Sequence, residues 1–310
     1  MAELALTPIV QQMQQLHAAG QQLQQPSFGG GIPNLQGLKI PSMETAEEGF
    51  SMFLFGDLGT RKTTFAATAP KPIVLSCGAE GGSDCLLFLP QIFGIPVPHI
   101  VEIRSSGDMW AVVQWIIQYA KRAGFCSVVI DSLSYFIDLW ISDLMMLRKK
   151  VLVDTGKAKA EDVLTMTDRD WGALETHIFR ELAIPLHRTG LNIIWTAIEK
   201  QKIHRDRASG TETVQGVMPW AQGSAAKKLP GLCKMIVHAT KVLSPDTKTR
   251  DRWQSAPTFW TAPTPICTLP RHRYGLSFPE GCLPNYQGYD MPTMMSIYNR
   301  VPWAIYTGPR

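Results

Sequence analysis

Residues 53–65 read FLFGDLGTRKTTF: an apolar run enters a glycine-bearing bend and leaves it through a Lys-Thr pair. That is the order of a phosphate-binding loop, Gly, four residues, then Gly-Lys-Ser/Thr, in which backbone N–H groups and the opening turn of a helix surround phosphate oxygens. Gly56, Gly59, Lys62 and Thr63 fall at the required spacing, and Arg61 stands where the last glycine belongs. An arginine there either crowds the phosphates or adds a positive charge to them. The flanks supply the context the motif needs. Ser51 to Phe55 is apolar enough for a central strand, and Thr63 to Ala69 contains no helix breaker until Pro70. On this reading Gly56, Asp57, Leu58, Gly59, Thr60, Arg61, Lys62, Thr63 and Thr64 hold a nucleotide, with Lys62 also a catalytic cation.

A phosphate loop needs a magnesium partner, commonly an aspartate at the end of a downstream apolar strand. Cys126 to Ser132, CSVVIDS, has that form and puts Asp131 beside Thr63 as a metal ligand. The competing reading makes Asp131 or Ser132 the cap of the helix that follows. Hydrolysis also needs a group that orients or deprotonates water, and Glu80, in CGAEGG just beyond a second apolar run, is the candidate. Its alternative is a solvated loop carboxylate. Thr196 and Glu199, at the end of the run from Leu191, either sense the terminal phosphate or form a turn.

Around this centre strands and helices alternate. Pro72–Ser76, Ile100–Ile103 and Ser127–Ile130 are short apolar runs. Met109, Val113, Ile116, Ile117 and Ala120 recur at helical spacing before Gly124, and Leu174, Ile178, Leu182 and Leu186 recur before Gly190. Leu191–Ala197 is the next buried strand. Beyond it come a basic segment, Lys200 to Thr213 with a turn at Ser209-Gly210, and runs at Lys234–Val242 and Arg252–Thr261. The expected fold class is α/β: a P-loop core with a mostly parallel sheet flanked by helices and an antiparallel β extension on the C-terminal side, which the resemblance given below makes RecA-like. The expected division is a Gln/Gly/Pro-rich arm and linker over 1–48, a core over 49–279 and a tail over 280–310. In the arm, Ile9, Met13, Leu16, Gly20 and Leu23 fit either an oligomerisation helix or a loosely held arm.

At 310 residues, 45% hydrophobic and 18% charged, the composition is that of a globular protein, and a net charge of +4 does not indicate a wholesale polyanion-binding surface. The six cysteines form no CxxC pair and no zinc-ligand cluster, which points to reduced, buried thiols. The most apolar run, Val128 to Leu147, carries Asp131, Asp138 and Asp143, so no membrane span is expected, and neither is a leader.

The order FLFGDLGTRKTTF, VLSCGAEGG, SVVIDSLSYF and DWGALETHIFRELAIPLHRTGLNIIWTAIEKQ resembles the phage RecA-like ATPases of the Sak single-strand-annealing group, over about Gly49 to Pro279. The resemblance implies ATP and Mg2+ as cofactors, Lys62 and Thr63 on phosphates and metal, Asp131 in the second acidic motif, Glu80 as catalytic carboxylate and Thr196 on the sensor strand. It implies a homo-oligomeric ring or filament in which Arg271 and Arg273 either act in trans on a neighbouring subunit's nucleotide or have a structural role. It implies single-stranded DNA bound by Lys200, Lys202, His204, Arg205 and Arg207, partnership with single-strand-binding or other recombination proteins, and a cytoplasmic location in a bacterial host. Arg61, and Gly78 two positions before Glu80, depart from the family pattern and bear on the hydrolysis rate. Two other functions suit the same core: a nucleotide-binding scaffold with little or no turnover, and a hexameric helicase or packaging motor.

Overall fold

The structure is a computed structural model and describes residues 49–77, 82–156, 165–205, 212–221, 225–242, 256–272, 278, 281–285, 291–294 and 297. The arm over 1–48, Gly78, Glu80, Arg207 and Arg273 lie outside these residues. The unit that holds the sheet comprises Glu47–Met146 and Leu164–Arg310; of the other, Met1–Ala46 with Leu147–Val163, the end of one long helix is described.

Nine strands are found among the described residues: β1 (Ser51–Gly56), β2 (Pro72–Cys77), β3 (His99–Ile103), β4 (Ser127–Asp131), β5 (Asn192–Arg205), β6 (Glu212–Pro219), β7 (Met235–Val242), β8 (Ala256–Trp260) and β9 (Arg271–His272). They form one sheet in the order β3-β2-β4-β5-β1-β7-β8, with β6 on β5 and β9 on β7. From β3 through β7 every pairing is parallel, whereas β6, β8 and β9 join antiparallel. The expected RecA-like α/β fold with an antiparallel C-terminal extension is what the chain adopts.

The helices are α1 (Lys62–Ala67), α2 (Leu89–Phe93), α3 (Ser106–Trp115), α4 (Leu133–Asp154), α5 (Asp168–Thr176), α6 (Ile184–His187) and α7 (Ala225–Leu232). A π turn over Ile116–Ala120 continues α3, and another over His177–Ala183 joins α5 to α6, so the two helices read from apolar spacing are each locally widened. The spacing still places their faces: Met109, Val113, Ile116 and Ala120, and Leu174, Ile178, Leu182 and Leu186, are all buried. Thr167 and Asp170 form a reciprocal capping box that starts α5 three residues before its first apolar position.

Because parallel strands are covered on both faces, β1 is buried at every residue and its side chains divide between two cores. Phe53 and Phe55 pack with the α3, α4 and α5–α6 side, while Met52 and Leu54 pack with Phe65 of α1 and Phe259 of β8. The second core also takes Leu283, Met291, Met294 and Ile297 from the tail, and the Met294 amide donates to the Thr68 hydroxyl at 2.8 Å. The tail therefore completes the layer over α1, and the described part of the core does not end at Pro279. Of the cysteines, Cys77, Cys126, Cys233 and Cys267 are buried, but Cys85 is exposed and Cys282 half-buried. No helix among the described residues is long and apolar enough to cross a membrane.

Candidate functional site

The strand order brings the carboxyl ends of β4, β5 and β1 side by side, with β5 between the other two. β1 delivers the chain to the bend at Gly56, where a Cβ would lie 2.1 Å from the Ala239 carbonyl oxygen of β7. Only glycine permits that approach. Two further positions bend backward: Gly59 at φ 71° and Arg61 at φ 59°, ψ 28°. Arg61 thus holds the left-handed conformation that glycine adopts without a steric cost, so the substitution keeps the motif's backbone and carries a strain of roughly 1–2 kcal/mol.

Inside the bend the hydrogen bonds are dense. Asp57 Oδ1 accepts from the Leu58 amide at 2.7 Å, and the Thr60 hydroxyl donates to the Asp57 carbonyl at 2.8 Å. Lys62 is only 8% exposed, and its ammonium donates to the carbonyls of Gly56 at 2.9 Å and Asp57 at 2.7 Å and to the Thr60 hydroxyl at 3.3 Å. A buried cation requires such partners, and these place it at the centre of the loop.

Beside it, the Thr63 hydroxyl donates to Asp131 Oδ2 at 2.7 Å, and the Thr196 hydroxyl donates to Asp131 Oδ1 at 2.5 Å. The sequence separates these three residues by 68 and 65 positions, and the register explains their meeting. Leu54 of β1 is level with Thr196, and Ile130 of β4 is level with Trp195. Asp131 is therefore nearly buried between two hydroxyl donors, one to each carboxylate oxygen. The helix-cap alternative fails for its side chain, whose bonds run across the sheet; the Asp131–Ser132 peptide is cis. Thr196, read from the sequence as a sensor of the terminal phosphate or a turn former, is fully buried and donates to Asp131. Thr64 faces away from this cluster, toward Cys85 Sγ at 3.7 Å.

Oxygen donors from Thr63 and Asp131 at one point suit a hard divalent cation such as magnesium, which takes one or two protein ligands and completes its shell with phosphate and water. Among the described residues no cluster of three or more His, Cys, Asp or Glu side chains suits another metal.

On the opposite face of the sheet from α1, sequence reasoning missed a second polar group. His238 of β7, 1% exposed, meets Glu199 at 2.8 Å through Nε2 and stacks on Phe55 with ring centroids 4.9 Å apart. Burial alone lowers an imidazole pKa, but the neighbouring Cys267 thiol and Glu199 carboxylate outweigh it and raise the value to about 9. Nδ1 has no hydrogen-bond partner, so Glu199 is the firmer of the two contacts. Glu199 is thereby committed to His238, away from Asp131. No local sequence signal marks this pair, because 39 residues separate its members.

The basic segment is a hairpin. β5 continues past its buried part, and Glu199 to Arg205 pair with Pro219 back to Glu212 across a bulge at Lys202/Ile203. Lys200 and Lys202 are exposed on it, and His204 and Arg205 lie on its strand. At its base, the Ser134 hydroxyl of α4 donates to the Trp220 carbonyl at 2.7 Å and accepts from the Ile198 amide at 3.0 Å. Arg271 is exposed on β9 level with Ile236, three positions back along β7 from Ala239, the neighbour of Gly56. It is not part of this chain's own loop.

No curated protein sequence matches the chain. Among solved structures it is similar to a KaiC-like protein from the hyperthermophilic archaeon Pyrococcus horikoshii, at 15% identity with 71% of this chain and 88% of that chain covered and a TM-score of 0.35. At that level the strand order, not the likeness, identifies the fold. The model of the AAA domain family matches residues 48–256, from the entry to β1 to the start of β8. With the phosphate loop, the acidic strand and the strand between them all inside that match, the chain belongs to the AAA domain family and has a P-loop ATPase core.

Proposed function

We propose that this protein binds and hydrolyses ATP and, as a homo-oligomer, binds single-stranded DNA in recombination or annealing of the phage type. The observation that carries the ATPase half is the meeting of Lys62, Thr63 and Asp131 at one sheet edge, with Asp131 held by Thr196. In this reading the loop amides and Lys62 bind the phosphate chain, and Thr63 and Asp131 hold magnesium. Magnesium, when bound, neutralises charge on the phosphate oxygens. A water oxygen bonds to the terminal phosphorus as the bond to the bridging oxygen breaks, giving ADP and phosphate. The water proton passes to a carboxylate, for which Glu80 is the candidate, and then to solvent.

The DNA half rests on the hairpin. Lys200 and Lys202 project from a ladder that leaves the core, which suits contact with backbone phosphates without base readout. Trp220, 36% exposed beside the hairpin's base, supplies a surface for base stacking that the basic run itself lacks. Partners beyond DNA and a bacterial cytoplasmic location are carried by the Sak resemblance alone.

One measurement separates the enzyme from a non-hydrolysing scaffold: ATP turnover with and without single-stranded DNA, for the parent and Lys62→Ala. DNA-stimulated turnover that Lys62→Ala abolishes supports the enzyme. Parental turnover in Lys62→Ala defeats the site, and tight ATP binding without turnover moves the reading to the scaffold. The left-handed backbone at Arg61 gives the loop the shape that a glycine there would give it, which both readings need for ATP binding.

A further inference from the structure

We propose that Lys241 is a further cation of the nucleotide site, reaching the phosphate chain from β7 of the same subunit; this rests on the triphosphate reading above. β7 runs parallel to β1 with Ala239 level with Gly56, so the residues just after Ala239 overhang the bend into which β1 opens. Lys241 is the second of them, and its backbone is fixed by pairing with Pro257 of β8.

Its head group rests on the loop. A Cβ added at Gly59 would lie 3.1 Å from Lys241 Nζ and 3.3 Å from its Cε. The positive φ at Gly59 already favours glycine, and the lysine occupies the space a larger residue would need. The carboxylate facing Lys241 is Asp57, with Oδ2 3.8 Å from Nζ, at the long end of an ion pair. Both side chains are open to water, 36% and 63% exposed, where such a pair stabilises little. The ammonium is thus anchored at the loop by its strand, and Asp57 holds it weakly.

A polyphosphate in the bend presents more charge than one carboxylate and accepts hydrogen bonds from an ammonium at closer range. Lys62 sits at the inner side of the same bend, bonded to the Gly56 and Asp57 carbonyls. Lys241 approaches from the outer side, by Gly59, so the two lysines bracket the loop. The bland role for Lys241 is to cancel the charge of Asp57, which would otherwise repel phosphate. The two roles differ in what happens when Asp57 is also neutralised.

The test is ATP affinity, by calorimetry with magnesium, for the parent, Lys241→Met, Lys241→Arg, Asp57→Asn, the Asp57→Asn/Lys241→Met double variant and Lys62→Ala. Lys241→Met is expected to weaken binding about tenfold, Lys241→Arg to restore most of it, and the double variant to stay about tenfold weaker than Asp57→Asn alone. A double variant that binds as Asp57→Asn does would overturn the proposal in favour of charge cancellation. So would a Lys241→Met that binds as the parent does while Lys62→Ala does not bind. If Lys62→Ala itself binds ATP like the parent, the triphosphate reading fails and takes the role of Lys241 with it. A thermal melt of each variant at matched pH identifies any that is unfolded, and Lys241→Arg then carries the comparison.

Discussion

The two halves of β5 are one continuous strand with opposite surroundings. From Asn192 to Ile198 every residue is buried between β4 and β1, and Thr196 holds Asp131. From Lys200 to Ile203 the side chains are exposed, and the ladder partner changes from two parallel neighbours to the antiparallel β6. One half is specified by packing and a buried carboxylate; the other is held by backbone pairing and carries charge. The proposed function assigns phosphate chemistry to the buried half and polymer contact to the half that extends from it.

The largest effect belongs to the inner half. Asp131→Ala removes the acceptor of both Thr63 and Thr196 and a ligand proposed for magnesium, so steady-state ATP turnover should fall by at least about a hundredfold. Thr63 loses its carboxylate partner and the fully buried Thr196 hydroxyl keeps only the longer contact to the Ile130 carbonyl at 3.3 Å, which should cost about 1–3 kcal/mol in a denaturant melt. Parental turnover in this variant would mean that the inner half is structural alone.

How much of this was legible in the sequence differs between the two halves in the same way. The run LNIIWTAI announces a buried strand, and the GDLGTRKT bend announces itself by spacing. The register that sets Thr196 against Asp131 is not local, although alternation along two apolar strands hints at it. The strand reading stops near Ala197 because the apolar pattern stops there. The structure continues to Arg205 because β6, 20 residues away at the Glu199–Pro219 pair and beyond a polar turn, supplies the missing hydrogen bonds. Pairing of that kind leaves no apolar signature when both strands are half exposed. Glu199–His238, the Ser134 bridge and Lys241 were invisible for the same reason: each is one polar residue whose partner comes from elsewhere in the chain.

At the boundary between the halves, His238→Ala leaves the Glu199 carboxylate half-buried without its imidazole and should destabilise the unit by roughly 3 kcal/mol. The pH dependence has a definite sign. The folded pKa of about 9 lies above the ordinary 6.5, so the pair's contribution is full below pH 6.5 and is lost as pH rises through 9. Chemical denaturation at pH 6 and pH 9.5 should show a loss in the parent, roughly 1–2 kcal/mol after allowance for solvent near Glu199, that His238→Ala lacks. An identical slope in both would remove the charge from this pair.

The outer half is tested by Lys200→Glu/Lys202→Glu. Single-stranded DNA affinity should drop about tenfold, and the slope of log affinity against log salt should flatten by about 1.4 for two lost phosphate contacts. A drop without a change of slope would indicate a distorted hairpin in place of lost charge contacts, and no drop would place the DNA elsewhere.

The smallest effect is expected where the halves join, and it discriminates most finely between them. Ser134 stands at the start of α4, three residues after Asp131, and its hydroxyl bonds both the Ile198 amide and the Trp220 carbonyl. It is thus tied to the last buried residue of β5 and to the residue following β6. Ser134→Ala removes both bonds, for roughly 1 kcal/mol, from a position whose side chain is otherwise small and buried. If the inner half is held by packing and the hairpin by its ladder alone, amide exchange at Ile198 should quicken about tenfold while Thr196 and its inner neighbours keep their protection. Faster exchange reaching back to Thr196 would show that the buried half depends on the hairpin's anchorage. The two halves of β5 would then open as one unit, and a strand that opens in one piece gives DNA contacts at its outer end a mechanical route to Asp131.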